Sequence, residues 1–254
     1  MNIVSIIKLV PDLVEELTVD ESGVALERDW LRLIINEFDD HSVEQAILLK
    51  EMSGGQVTVI APDLEGTDDV LFAANARGAD RMIKLVGDFD EGVNNHALAR
   101  ACVSVIRDMQ PDVILTGVQA HDDLDGSVGP LVAEYLDRPY VGYVAGASLS
   151  GGKLSIIKEY PGGLTAALDV TLPAVLGVQA AEQPPRYVAI SKIRQAMKTA
   201  VIEEHSIDDL DSSGGPIIGR LYQPEVGERA TMLEGDEEAI AARIIDIMQE
   251  KGLL

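Results

Sequence analysis

The residues best suited to chemistry fall in one run: Gly117, Val118, Gln119, Ala120, His121, Asp122, Asp123, Leu124, Asp125, Gly126, Ser127, Val128, Gly129 and Pro130. The run leaves the apolar segment Val113–Thr116 and enters a helical pattern carrying Leu131, Val132 and Leu136. Unbonded N–H groups at a helix start carry positive partial charge, so this junction suits a phosphate. Gly126 and Gly129 would let the backbone approach an anion closely, and Ser127 would add a hydroxyl donor. Asp122, Asp123 and Asp125 work against this, because carboxylates facing a phosphate repel it. They must turn toward ribose hydroxyls, cap backbone amides or pair elsewhere. A solvated acidic turn is the plain alternative. A divalent-metal site is a weaker one, since three aspartates do not complete a ligand set.

Two shorter segments also sit at the carboxyl ends of expected strands, the edge where open parallel sheets bind ligands. They are Asn36-Glu37-Phe38-Asp39 and Ala61-Pro62. Signatures of catalysis are missing. No Gly-x-Gly-x-x-Gly follows the first strand, and there is no Gly-x-Ser-x-Gly elbow. Gly151-Gly152-Lys153 lacks the leading glycine of a P-loop, with Ala147 in its place. His41, His96, His121 and His205 show no metal-ligand spacing with Cys102, which falls on an apolar helix stripe and is expected to be inert core. The expectation is a binding protein with no catalytic residue.

The elements that must hold these loops alternate. Apolar runs Ile3–Leu9, Val57–Ala61, Met82–Leu85 and Val113–Thr116 are short and rich in branched residues, as buried parallel strands are. Helical patterns separate them. Ser42 and Gln45 suggest a capping box ahead of Val43, Ala46 and Ile47. Leu98, Ala101, Cys102, Val105 and Met109 form one stripe, closed by Pro111. Between Val14 and Leu33, Glu21-Ser22-Gly23 marks a small hairpin excursion. Strand-like Leu154–Ile157, Leu164–Val170 and Ala174–Val178 follow, punctuated by Gly151-Gly152 and Pro161-Gly162-Gly163, and are expected to extend the same sheet partly antiparallel. The predicted fold is α/β: a Rossmann-like, doubly wound, mostly parallel sheet, of the adenine nucleotide α-hydrolase-like kind, with an extended C-terminal arm and a terminal helix. Residues 1–183 would form the nucleotide-binding domain and 184–235 a recognition segment and arm. Residues 236–254 would form a helix, with Ile240, Ile244, Ile247 and Met248 on one face, that docks on a partner subunit.

The totals narrow the function further. A formal charge of −23 repels nucleic acid and anionic membrane surfaces. No run approaches the ~20 apolar residues that span a bilayer, and Lys8 and Pro11-Asp12 interrupt the apolar N-terminus. With its single cysteine, the chain is expected in the cytoplasm.

Five stretches resemble the β (small) subunit of electron-transfer flavoproteins. They are Ile6-Ile7-Lys8; Asn36-Glu37-Phe38-Asp39 with Val43-Glu44-Gln45-Ala46; Gly78-Ala79-Asp80-Arg81; Pro111 through Asp123; and Leu172-Pro173-Ala174-Val175 ahead of Pro185-Arg186-Tyr187. Their order and spacing, over nearly the whole chain, carry the resemblance. It implies a subunit that wraps AMP with Ile6, Asn36, Glu37, Phe38, Asp39, Pro62 and the loop from Gly117 to Val128, with Gly129 beside it. It further implies an α subunit that holds the redox-active FAD, shared between the two chains. The pair would carry electrons from flavin dehydrogenases to a quinone-linked oxidoreductase. A recognition segment falls on Pro185 to Lys198, with Pro185, Arg186, Tyr187, Lys192 and Ile193 around an aliphatic anchor at Ile190. Val128-Gly129-Pro130 looks more like the branch whose β subunit holds a second FAD and bifurcates electrons from NADH, so AMP or FAD is open for this chain. A stand-alone adenine-nucleotide regulator is a third reading.

Overall fold

The computed structural model describes residues 1–89, 93–123, 125–150, 153–225, 227 and 230–254, with Ser150 as backbone only. The chain divides into a large unit, Met1–Leu221, and a small one, Tyr222–Leu254.

In the large unit the parallel strands are β1 (Asn2–Ile6), β4 (Gln56–Pro62), β5 (Arg81–Val86), β6 (Val113–Gly117), β10 (Ala174–Ala180), β7 (Tyr140–Ser150) and β11 (Ile202–Ser206). β8 (Lys153–Tyr160) and β9 (Leu164–Val170) add antiparallel to β7. The nine-stranded order is β11-β5-β4-β1-β6-β10-β7-β8-β9. This is the predicted mostly parallel α/β sheet with a partly antiparallel end. β2 (Leu9–Pro11) and β3 (Leu33–Ile35) pair separately as an antiparallel ribbon. The excursion between them closes through a Val19–Leu26 bridge, with the Asp20 carboxylate accepting from the Ser22 and Gly23 amides at the turn.

Why these runs form central strands follows from their two-faced burial. Successive residues Ile3 and Val4, Val59 and Ile60, Met82 and Ile83, and Leu115 and Ile114 enter opposite cores. A strand covered on both faces has no polar side, so its sequence reads as a continuous apolar run. One core takes Val43, Ile47 and Leu49 from helix α1 (Glu37–Ser53) and Leu71 from α2 (Thr67–Arg77). The opposite core takes Leu98, Cys102 and Ile106 from α3 (Asn95–Met109) and Val132 from α4 (Val128–Tyr135). Cys102 is fully buried there, in the core as expected, and burial pushes its thiol up to about 12.

One expectation fails. Ser42 and Gln45 do not cap a helix, because α1 begins earlier, with Asn36 as its N-cap. Both residues lie mid-helix and are buried. Ser42 Oγ hydrogen-bonds Ser5 Oγ at 2.6 Å, while Gln45 donates to the Ala147 carbonyl at 2.7 Å and accepts from the Glu182 amide at 2.9 Å. Polar residues that satisfy each other inside a core imitate a helix start when read as pattern alone. The Gly151-Gly152 turn lies outside the described residues.

In the small unit, helix α6 (Glu237–Glu250) starts at Asp236, whose carboxylate accepts from the Ala239 amide at 2.9 Å. It ends with Gly252 at φ +67° and the Leu253 amide donating to the Met248 carbonyl, a left-handed C-terminal cap. Among the described residues, no helix is long and apolar enough to cross a membrane.

Candidate functional site

β1 and β6 are neighbours at the middle of the sheet, but the chain leaves them on opposite sides. After β1 it passes through α1 over one face to β4; after β6 it passes through α4 over the other face. The loops therefore part at the carboxyl ends of these two strands. In open α/β sheets that crevice is where ligands bind. In this structure the crevice encloses about 20 Å³, room for about one water molecule.

Asp39, in the first turn of α1, fixes the crevice. Its Oδ2 accepts from the Lys8 amide at 3.0 Å and its Oδ1 from the Gly117 amide at 2.7 Å, so one carboxylate ties the ends of β1 and β6 together. Burial pushes this carboxyl up to about 6, against the opposing pull of those amides and the Lys8 ammonium. Gly117 must be glycine for this contact, because an added Cβ would run into the Asp39 carboxylate and Phe38. Asn36 donates from Nδ2 to the Gln119 carbonyl at 2.9 Å and anchors the start of the acidic loop.

The aspartates of that loop pair elsewhere. Lys8 Nζ sits 2.7 Å from Asp122 and 2.6 Å from Asp123. Asn95, at the start of α3, donates to Asp123 at 2.9 Å and to Asp125 at 2.5 Å. Asp125 also accepts from the Ser127 amide at 2.9 Å. Burial works to raise the Asp123 carboxyl, but Lys8 and Asn95 hold it below its ordinary value.

The α4 end of the crevice is left with unused polar groups. Val128 and Gly129 open the helix, where no acceptor within it is available, and Pro130 brings no N–H. The Thr116 and Ser127 hydroxyls are buried without a hydrogen-bond partner. Buried polar atoms are almost always paired, and among the described residues the third orphan hydroxyl, that of Thr58, lies in β4 away from the crevice lining.

Of the residues predicted from sequence, Ile6, Asn36, Asp39, Gly117, Gln119, Ala120, Asp123, Gly126 and Val128 line the crevice. Ile7, Lys8, Leu98 and Thr116 join them without having been singled out. Others stand back from its lining. Glu37 is exposed at the helix start, and Phe38 flanks Gly117. Pro62 is buried and gives its carbonyl to Thr67. Val118 donates to Val178 in the sheet, and the His121 ring meets the Pro11 carbonyl at 2.8 Å. Leu124 lies outside the described residues. Packing gives two of the glycines a further reason. A Cβ on Gly129 would lie 2.7 Å from the Tyr140 ring and 2.8 Å from Thr116 Oγ1, and one on Gly126 2.5 Å from the Val118 carbonyl. Both glycines make room for the protein itself.

The segment Pro185 to Lys198 has two parts. Arg186 is fastened to α1: its amide donates to Glu44 at 3.0 Å, and its guanidinium pairs with Glu44 and Glu51 at 2.8 and 2.7 Å. Beyond it Tyr187 is 88% and Ile190 62% exposed, while Ala196 is buried. Ile190 opens helix α5 (Ile190–Thr199), on which Lys192 is exposed and Ile193 half-buried; Pro185 is also half-buried.

Residues 24–210 match the family described as "Electron transfer flavoprotein domain". A protein of Methylophilus methylotrophus named electron transfer flavoprotein subunit beta is 34% identical, over 98% of this chain and 98% of its own. One of Clostridium acetobutylicum with the same name is 32% identical over 99% of each chain. Protein FixA of Azorhizobium caulinodans is 28% identical over 96% of this chain and 92% of its own.

Proposed function

The chain belongs to the electron transfer flavoprotein family, as a β-subunit-like member, and from that premise we propose that it binds AMP and pairs with an α subunit that carries FAD. The observation that carries this reading is the crevice between β1 and β6, where the buried Thr116 hydroxyl has no partner, nor has that of Ser127 between the lining residues Gly126 and Val128. The two hydroxyls and the opening amides of α4 suit a phosphate. The apolar lining from Ile6, Ile7 and Leu98 suits a base. Bound FAD would supply the redox chemistry of the pair. This chain's own residues would bind, orient and exclude water. Dehydrogenases would dock on Tyr187 and Ile190, held out from the fold by the Arg186 clasp, and the acceptor would be a quinone-linked oxidoreductase. α6, with Ile244 and Ile245 exposed, would pack on the α subunit. The cytoplasm is the proposed compartment.

Co-expression with the α subunit, followed by extraction and identification of the bound molecules, tests this. One AMP and one FAD per heterodimer are expected. A heterodimer with no adenylate ends the reading. Two FAD per heterodimer would favour the bifurcating form suggested by Val128-Gly129-Pro130.

A further inference from the structure

We propose that Lys8 is a positioning residue whose ammonium, by holding Asp122 and Asp123 aside, lets an acidic loop accept an anionic adenylate. The inference rests on the adenylate reading above. Lys8 follows β1 directly, and its side chain is largely buried against the loop. Its Nζ lies within ion-pair distance of both carboxylates. Asn95 donates to the same Asp123 oxygen as Lys8 and to Asp125, which also caps the Ser127 amide, so all three loop aspartates are engaged within the protein. Burial works against the charge on Lys8, and Asp122 and Asp123 more than reverse it, so the ammonium stays protonated.

Without Lys8, Asp122 would be released and Asp123 left with neutral donors alone, beside the position proposed for the phosphate, and nothing else described within hydrogen-bond distance of them is cationic. The cost would fall on the charge of the ligand, not on its base. A merely structural role would affect charged and neutral ligands alike.

The experiment is calorimetric titration of AMP and of uncharged adenosine into the full-length chain, after removal of bound nucleotide. Lys8→Met is expected to weaken AMP on the order of tenfold to a hundredfold, the loss typical of a charged partner, and adenosine by less than about threefold. Lys8→Met with Asp122→Asn and Asp123→Asn should recover most of the AMP affinity. Asp122→Asn with Asp123→Asn on wild-type Lys8 should tighten AMP, because the ammonium is then free for the phosphate. That variant keeps the test open if Lys8→Met does not fold. Equal losses for both ligands, no rescue, or no tightening would overturn the proposal. Wild-type protein that takes up neither ligand would overturn the adenylate reading, whereas AMP binding unchanged by Lys8→Met would overturn this inference alone.

Discussion

The Asp39 carboxylate accepts the Gly117 amide at 2.7 Å, joining the first turn of one helix to the end of a strand 78 residues away. Its other oxygen takes the Lys8 amide. Two oxygens serve two donors on two neighbouring strands. Asp39→Asn offers one oxygen and sets its NH2 against a second N–H. A loss of about 1–3 kcal/mol is expected, readable by denaturant unfolding. The pH dependence gives an independent check. Burial holds this carboxyl at about 6, above its ordinary 3.8, so the folded chain keeps the proton more tightly than the unfolded one. The contribution of Asp39 to stability is therefore full below about pH 4 and is lost as pH rises through about 6, on the order of 3 kcal/mol. Wild type minus Asp39→Asn should slope downward with pH across that window. A flat difference would refute the assignment.

Arg186 and Glu44 supply a second prediction. The Glu44 side chain is 2% exposed and its charge is matched by Arg186. Arg186→Met should cost roughly 3 kcal/mol, because it strands a buried carboxylate. Adding Glu44→Gln should return part of that loss in a double-mutant cycle. Additive losses would mean that the pair is not coupled.

Gly129→Ala would place a methyl against Tyr140 and Thr116. Overpacking of this kind costs about 1–3 kcal/mol, so a lowered melting temperature is expected. Unchanged stability would show that the Tyr140 ring yields easily.

Ile190→Ala should slow electron uptake from dehydrogenases about fivefold or more, as loss of a small docking hot spot would. Flavin content should not change, and stability should move by less than about 0.5 kcal/mol, because the side chain is exposed. An unaltered rate at limiting carrier would remove Ile190 from the docking surface.

The alternating apolar runs made the parallel sheet legible, since strands buried on both faces announce themselves in composition. The edge strand Ile202–Ser206 did not, because its residues Glu203, Glu204 and His205 are mostly polar and pair only with β5. At the crevice, Asn36, Asp39 and the Gly117 loop were legible from their place after strands. Lys8, Asn95 and Thr116 were not assigned roles, since their partners lie far off in sequence. One signal was available for Lys8: a lone cation at the end of an apolar strand, in a chain with a loop of three aspartates to neutralise. The reason for Gly126 and Gly129 was out of reach, because only three-dimensional packing shows that Val118 and Tyr140 need the space.

The Lys8–Asp123 contact spans 115 residues. β1 and β6 must pair before its two ends can meet, and non-local pairing of this sort forms slowly. No early hairpin or isolated helix can present a rudimentary version of the cavity. During refolding, uptake of any ligand by this crevice should consequently lag behind the gain of helix and would report when β1 and β6 have met.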